Sequence, residues 1–450
     1  MKPVLKIWWI ALAVKLVIAV LVPFANDESY YWVWGHHPHL SYFDHPAMVG
    51  WLFYLGTFLE NFGNAARIPG VVLGHATLLI WSAILNPFLN EKQKPYWLVF
   101  LGLSPFLGIG SLVLTPDIPF LFFWSLSILF LTQAVESNRW RFYAALGVTL
   151  GFGFCSKYLI VLFVPCALAW LIGSGLWRSV DYKKVPLTIV LGLLFCTPVL
   201  LWNAQNDWAS FKFQLDHGLE STQPNALWPL EYFGAQLGLL FPIAAYFALK
   251  KRTPQGTSFL HAFGWLPLAF FFYTSFRAHV EANWPSMGHP ALLALAFLNA
   301  SDSTASFKWL RAQAVIWIVA IILVFSQVIH PWIPLDPKKL KTSELTKYDI
   351  LVPVARERQD LYFGAYQMAA SVSYALKRQL YKLDGMNRRD FYDFTPQSHP
   401  TGDSFGVIKE NRQSLPPWVA EAGYQIVSER AIGPDFRLLE VNRHAKDINR

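Results

Sequence analysis

Apolar segments long enough to cross a membrane recur along this chain from its N-terminus to about residue 330, and then the pattern stops. A helix rises about 1.5 Å per residue, so about 20 apolar residues are needed to cross a hydrocarbon core of roughly 30 Å. Only 15% of the 450 residues are charged and 54% are hydrophobic, which is unusual for a soluble protein. The sequence therefore predicts a mainly α polytopic membrane helix bundle over residues 1–330, followed by a soluble α/β domain over residues 331–450.

About eleven membrane spans are predicted, with boundaries placed to within a few residues. They are residues 4–22, 67–86, 96–114, 118–135, 141–155, 158–173, 185–202, 228–249, 258–275, 285–300 and 311–330. The segments 141–155 and 158–173 are short, and a single long, tilted helix is the alternative there. Three cysteines, Cys155, Cys166 and Cys196, lie in these spans and are interpreted as small core residues.

Lysine and arginine clusters alternate between the two sides of the predicted membrane, and positive loops are retained in the cytoplasm. One side holds Lys2 and Lys6, Lys92 and Lys94, Arg139 and Arg141, Arg178 with Lys183 and Lys184, Lys250–Arg252, and Lys308 with Arg311. Short loops on the other side hold only Arg67, Lys157, Lys212 and Arg277. This bias predicts a cytoplasmic N-terminus and an outside tail. The net charge of +8 is mostly this cytoplasmic rim, which does not indicate nucleic-acid binding.

The tail has the pattern of a mixed α/β domain. We predict short strands at Ile350–Val354 and Gln425–Ser428 and a helix at Tyr366–Leu380. A turn at Ile432–Pro434 precedes a further predicted strand at Arg437–Val441.

Charged residues at the outer membrane edge are the first candidates for chemistry, because such groups are costly near lipid and are often functional. Asp27 and Glu28 directly follow the first span, and Asp44 and His45 follow within the same aromatic-rich loop, which suits the interfacial layer. The alternative is a solvated loop with an aromatic belt.

The remaining outer loops add an acid and two cations. Asp117 lies between Pro116 and Pro119, where it either takes part in chemistry or caps the next helix. Lys157 and Arg277, with His45, are candidates to neutralise an anion such as a phosphate. In the alternative interpretation, Arg277 does not bind an anion and simply forms an ion pair with Glu281. The loop from residue 202 to residue 228 either closes over a site or is an ordinary solvated loop.

Several common chemistries lack their motifs. The sequence has no Walker A loop, no dinucleotide-binding glycine fingerprint, no HExxH and no GxSxG. The histidines at residues 36, 37, 39 and 45 fit no metal template in their spacing, so neither a metal nor a cofactor is predicted.

Taken together, these motifs resemble the bacterial branch of the polytopic GT-C glycosyltransferases, in the group of protein O-mannosyltransferases and aminoarabinose transferases. The resemblance rests on Asp27-Glu28 with Tyr31, Tyr42–Pro46, Thr115–Pro119, Gly151–Tyr158 and Glu281–Pro285. In the tail, Tyr366–Ala370 and Asn387–Phe394 are similar to a pattern that follows the last span in this branch. The resemblance covers nearly the whole chain.

The resemblance implies inverting transfer of a sugar from a polyprenyl-phosphate donor to a lipid, glycan or protein acceptor, at the outer face of the bacterial inner membrane. Asp27 matches the family's catalytic acid and is expected to be the general base. Asp44 and Asp117 match acidic positions that share in catalysis or position the substrate. The expected phosphate-binding residues are His45, Lys157 and Arg277, and the expected substrate-positioning residues are Glu28, Tyr31, Glu281 and Asn283.

Two other functions compete with this interpretation. A transporter or flippase of lipid-linked sugars is also polytopic, but it usually shows inverted repeats and midplane charges, whereas these acids cluster at one membrane edge. A glycan polymerase or ligase uses similar lipid-linked donors but does not share these motifs.

Overall fold

The structure is a computed structural model that describes residues 2–219, 225–250, 254–301, 303–330, 332–333 and 345–443. Parts of two sequence predictions, at residues 220–224 of the outer loop and residues 251–252 of a basic cluster, lie outside these residues. The α-helices of the apolar region are α1 (Lys2–Leu21), α2 (Asn26–His36), α3 (Met48–Gly56), α4 (Ile68–Leu85), α5 (Gln93–Gly102), α6 (Asp117–Ser137), α7 (Trp140–Ser156), α8 (Phe163–Gly173), α9 (Val185–Gln205), α10 (Ala209–Leu219), α11 (Trp228–Leu240), α12 (Pro242–Ala248), α13 (Phe259–Ser275), α14 (His289–Ala300) and α15 (Thr304–Ile329).

Each of the eleven predicted apolar segments coincides with one or more of these helices, which is the helix bundle expected from the sequence. Within the described ranges, five helical stretches are long and apolar enough to cross a membrane: Lys2–Leu21, Ala65–Phe88, Asp117–Ser137, Val185–Gln205 and Thr304–Val328. The three cysteines, interpreted as core residues, are buried and not paired with one another.

Several predicted spans are interrupted. The backbone at Lys157 is extended (φ −159°, ψ 136°), so α7 and α8 are separate helices and the alternative of one long helix is wrong. α5 ends at Gly102, and turns lead to a short 3₁₀ helix at Gly110–Leu112. α11 and α12 are separated at Phe241, because the following Pro242 has no N–H group and disfavours helical backbone in the residue before it.

The C-terminal domain contains a five-stranded sheet within the described residues. Its strands are β1 (Leu361–Phe363), β2 (Tyr381–Lys382), β3 (Ser404–Glu410), β4 (Tyr424–Ile432) and β5 (Phe436–Arg443), in the order β2-β1-β3-β5-β4. β1 is parallel to both neighbours, and β5 is antiparallel to β3 and β4. Three helices complete the domain: α16 (Val352–Arg356), α17 (Tyr366–Leu376) and α18 (Pro417–Glu421). The mixed α/β class predicted for the tail is confirmed.

Two predicted strands and one turn of the tail are confirmed, since β4 and β5 contain Gln425–Ser428 and Arg437–Val441 and meet at the predicted turn. The strand predicted at Ile350–Val354 is wrong, because this segment is helical, with Pro353 in the first turn of α16. Proline cannot donate to a strand ladder, which favours the helix start over a strand.

The predicted helix at Tyr366–Leu380 is present as α17, but it ends at Leu376. The next residue, Lys377, has left-handed backbone (φ 49°), which terminates the helix. The domain boundary at residue 330 stays a prediction, and residues 331 and 334–344 beside it lie outside the described ranges.

α2 packs against α17, so the loop after the first span is covered by the C-terminal domain. The rings of Tyr30 and Tyr366 are 4.4 Å apart, and Phe24 stacks on Tyr374 at 4.1 Å. Six aromatic side chains that the sequence suggested for the membrane interface are buried inside the protein: Tyr30, Tyr31, Trp32, Trp34, Tyr42 and Phe43. The predicted aromatic belt is therefore a packing surface between the helix bundle and the tail.

Candidate active site

Asp27 is the second residue of α2, at the end of the helix that is nearest to the first span. It is exposed, although Glu28 and the next seven residues of the helix are buried. A carboxylate in the first turn is favoured by the partial positive charge of the helix N-terminus. Asp27 is thus an accessible acid on an otherwise buried helix.

Glu28 fixes the turn that carries Asp27. Its carboxylate is fully buried: Oε2 lies 2.8 Å from Arg67 Nη2 and accepts a 3.1 Å hydrogen bond from Ala25 N, and Oε1 accepts a 2.8 Å bond from Leu114 N. Arg67 also donates to three carbonyls at the end of α1. Burial raises the pKa of Glu28 and the Arg67 charge opposes that rise. The structure therefore gives Glu28 an anchoring position, whereas the sequence suggested a substrate-facing one.

Asp117 joins two other predicted residues from distant parts of the chain. It is the first residue of α6, and the N-cap position before it is occupied by Pro116. Its Oδ1 accepts a 2.7 Å bond from Lys157 Nζ, and its Oδ2 accepts a 2.7 Å bond from Asn283 Nδ2. The alternative in which Asp117 serves only as a helix cap is thus not what the structure shows.

The loop that carries Asn283 is held by a buried relay. Gln236 Nε2 donates a 3.0 Å hydrogen bond to the carbonyl of Ala282, the residue before Asn283. The other end of the same amide, Gln236 Oε1, lies 2.8 Å from His289 Nε2. Gln236 and His289 are 5% and 2% exposed, so the relay lies inside the helix bundle. It fixes the backbone next to the amide that bonds Asp117.

Asp44 lies in the turn between α2 and α3 and is held from both the bundle and the tail. Its Oδ2 accepts a 2.6 Å hydrogen bond from the Tyr30 hydroxyl, and its Oδ1 lies 2.6 Å from Arg388 Nη1. The Tyr30 hydroxyl in turn accepts a 2.8 Å bond from Phe391 N. Asp44 is therefore buried at the contact between α2 and the C-terminal domain.

The three carboxylates converge on the phenol of Tyr31. This residue is buried on α2, and burial raises the pKa of its hydroxyl well above the usual value, with further increases from Asp27, Tyr366, Asp44 and Asp117. All three acids act electrostatically on one hydroxyl, so they lie within electrostatic range of a common point.

Other predicted residues stand outside this group. Arg277 is exposed, and its guanidinium lies over the ring of Tyr273 at 5.4 Å. The alternative in which Arg277 and Glu281 form an ion pair is not seen in the described structure, where the ionic neighbour of Glu281 is His279 at 3.7 Å. His45 is half-buried, with its ring 6.2 Å from that of Tyr31. Of these, only His45 lies near the carboxylates.

Arg388 was missed as a site residue, although its segment was part of the sequence resemblance. A sequence pattern gives no indication that a tail residue more than 300 positions away contacts Asp44.

No group of three or more histidine, cysteine, aspartate or glutamate side chains that could hold a metal ion occurs in the part of the chain that the structure describes.

Parts of this chain are similar to known proteins. A family described as dolichyl-phosphate-mannose-protein mannosyltransferase matches residues 44–202, a range that includes Asp44, Asp117 and Lys157. The lipid A galacturonosyltransferase RgtD of Rhizobium johnstonii is 24% identical over 58% of this chain. An undecaprenyl phosphate-alpha-4-amino-4-deoxy-L-arabinose arabinosyl transferase of Edwardsiella ictaluri is 28% identical over 65% of it. The chain spans 57% and 58% of the length of these two relatives.

The fold also matches a solved structure over its whole length. ArnT from Cupriavidus metallidurans, solved bound to undecaprenyl phosphate, superposes with a TM-score of 0.66 over 98% of both chains. The sequence identity is 14%, so this likeness concerns the fold. A helix bundle followed by a C-terminal α/β domain is therefore shared over the full chain.

Proposed function

Since this chain belongs to the GT-C glycosyltransferase superfamily, in its family 39-like part, we propose that it transfers a sugar from a polyprenyl-phosphate donor to an acceptor. The observation that carries the proposal is the network in which Asp117 bonds Lys157 and Asn283 at 2.7 Å, with the exposed Asp27 within electrostatic range of the same Tyr31 hydroxyl as Asp117. One relative is named as a lipid A galacturonosyltransferase and the other as an aminoarabinose transferase. These names favour a lipid or glycan acceptor over a protein acceptor.

Asp27 is the proposed general base. It is the exposed member of the three acids, whereas Asp44 and Asp117 are each held by a cation at 2.6 to 2.7 Å. In the proposed step, Asp27 takes the proton of the acceptor hydroxyl while that oxygen attacks the anomeric carbon. The bond from the anomeric carbon to the phosphate oxygen breaks, and the phosphate leaves with the electron pair. Direct displacement without a carboxylate nucleophile inverts the anomeric configuration.

The departing phosphate needs positive charge nearby but no acid, because it is a weak base. Lys157 uses one of its three N–H donors on Asp117, which leaves donors for a phosphate oxygen. His45 is a weaker partner since imidazole is cationic only part of the time near neutral pH. Asp117 and Asn283 are proposed to hold Lys157 and the sugar, and Tyr31 to line the sugar site.

The polyprenyl chain has a plausible path along the bundle. An apolar groove with a volume of about 520 Å³ lies between α11 and α13 and is lined by Asn225, Ala226, Pro229, Leu230, Phe233, Phe272 and Phe276. Arg277 comes directly after Phe276, which lines this groove, so its proposed role is to bind the lipid phosphate at the rim. The exposed Glu281 is proposed to position the acceptor.

The proposed location is the bacterial inner membrane, with the N-terminus in the cytoplasm and the C-terminal domain outside. The alternating basic clusters of the sequence support this orientation. The five long apolar helices support membrane insertion. The transferred sugar is proposed to be a hexose or a pentose.

The decisive experiment measures sugar transfer by purified Asp27→Asn protein in liposomes, using a panel of radiolabelled polyprenyl-phosphate sugars. Asparagine keeps the size of the side chain but cannot accept the proton, so turnover should fall about 10²- to 10⁴-fold. Glu136→Gln is the control, because Glu136 is an exposed acid in the last turn of α6, at the opposite end of that helix from Asp117. Near-normal turnover of Asp27→Asn would reject the mechanism, and labelled lipid that crosses the bilayer without transfer would favour a flippase.

A further inference from the structure

A short loop of the tail, residues 383–394, reaches the site beside α17, and we name it the arginine loop. It carries Arg388 to Asp44, and its backbone at Phe391 donates to the Tyr30 hydroxyl. The neighbouring Arg389 lies over the ring of Phe394 at 4.5 Å and does not reach an acid of the site. One arginine of the pair thus points to the carboxylate cluster.

A buried ionic cluster holds the arginine loop in shape. Lys382 is fully buried, and its ammonium lies 2.8 Å from Asp390 Oδ2 and 2.7 Å from Asp393 Oδ2. The same ammonium donates a 2.9 Å bond to the carbonyl of Arg388 itself. Asn387, just before it, has left-handed backbone (φ 57°). Burying charge is costly, so three buried charged groups beneath one loop tip indicate that the backbone position of Arg388 matters.

The Arg388 side chain is fixed but not enclosed. Its guanidinium lies over the Tyr366 ring at 4.7 Å and the Phe213 ring at 5.6 Å, and its Nη1 meets Asp44 and the carbonyl of Arg389. Burial alone would lower its pKa, but Asp44 and the Tyr366 hydroxyl raise the pKa overall. The side chain is nevertheless 39% exposed, against 6% for Asp44. A guanidinium has five N–H donors, which is more than these contacts use.

The other cations at the site are less suited to an incoming anion. Lys157 is 11% exposed and already paired with Asp117. Arg277 is exposed and its guanidinium lies over the ring of Tyr273. His45 offers an imidazole, which is a weaker partner for an anion than a permanently charged group. Among these cations, Arg388 combines permanent charge, fixed geometry and partial exposure beside Asp44.

We propose that Arg388 binds the phosphate of the lipid donor, so that the C-terminal domain completes the donor site. This inference rests on the proposed function. In it, the edge of the guanidinium that faces away from Asp44 contacts phosphate oxygens, and Asp44 with Tyr366 keeps the group oriented. Arg388 and Lys157 then neutralise the leaving phosphate from two sides.

The test compares binding of undecaprenyl phosphate and of uncharged undecaprenol to the full-length protein. The wild type and Arg389→Ala should prefer the phosphate lipid. Arg388→Ala should bind the phosphate lipid at least about thirtyfold more weakly, with little change for undecaprenol. Arg388→Lys should recover part of the preference, and added guanidinium ion should restore part of the binding to Arg388→Ala.

Unchanged preference in Arg388→Ala would overturn the inference while leaving sugar transfer by Asp27 intact. Equal loss of both lipids, without rescue by guanidinium, would also overturn it, because it would indicate a purely structural role. If Arg388→Ala loses the preference but the wild type transfers no sugar, the phosphate site stands and the proposed transfer falls.

Discussion

Replacing Lys157 with methionine is the sharpest test of how the candidate site is held together. In the structure, Asp117 has a cation on one oxygen and the Asn283 amide on the other, both at 2.7 Å. Lys157→Met keeps the apolar stem and removes the charge. Asp117 is then left with one neutral donor in a site where its side chain is 13% exposed.

The size of the effect follows from this geometry. Unit charges 2.7 Å apart attract each other by about 6 kcal/mol at an effective dielectric constant of about 20. Much of that is offset by desolvation, and removing one partner of a buried pair costs about 3–5 kcal/mol. The partial exposure of both side chains places the expected loss near the low end, at about 3 kcal/mol. Thermal unfolding in detergent, followed by tryptophan fluorescence, should show a lower midpoint.

The double variant Lys157→Met with Asp117→Asn separates charge pairing from other effects. It leaves no uncompensated charge, so it should be more stable than the sum of the two single changes predicts. Lys94→Met is the control, since Lys94 forms a 2.5 Å pair with Glu91 at the exposed end of α5. Its unfolding midpoint should not change. Strictly additive effects of the two site substitutions would refute the pairing argument.

Three further predictions follow from the tail, the relay and the topology. Burial raises the pKa of Asp390 to about 7. A folded protein that holds such an acid loses stability as the pH rises from about 4 towards 7, so the unfolding midpoint of Asp390→Asn, relative to the wild type, should be higher at pH 8 than at pH 5. Lys382→Met should be destabilised at both pH values. Gln236→Leu should lower turnover about tenfold, because a lost buried hydrogen bond costs about 1–3 kcal/mol, and unchanged kinetics would show that the relay does not position the loop. Reporter fusions after residues 252 and 330 should report opposite sides of the membrane, and the same side for both would contradict the orientation.

The class of the protein, a polytopic helix bundle, could be predicted from the sequence. Burying polar groups in lipid is costly, so membrane spans must be long apolar helices, and these recur as apolar segments along the chain. The sequence left two alternatives at Lys157, two short helices or one long helix, and the extended backbone of this residue decides for two helices. The secondary structure of the tail was harder to predict. Its strand error at Ile350–Val354 arose because a short apolar run fits a strand and a buried helix equally well.

At the site, the sequence by itself determined which acids stand out against apolar surroundings, because charged groups are costly near lipid and are rare there. Only the tertiary structure decided their partners. Glu28 is an anchor because Arg67 reaches it from another helix, and Arg388 joins Asp44 because the tail folds back over α2. Contacts between residues 39 and 344 positions apart depend on how helices and domains pack, and packing leaves no local signal in one sequence.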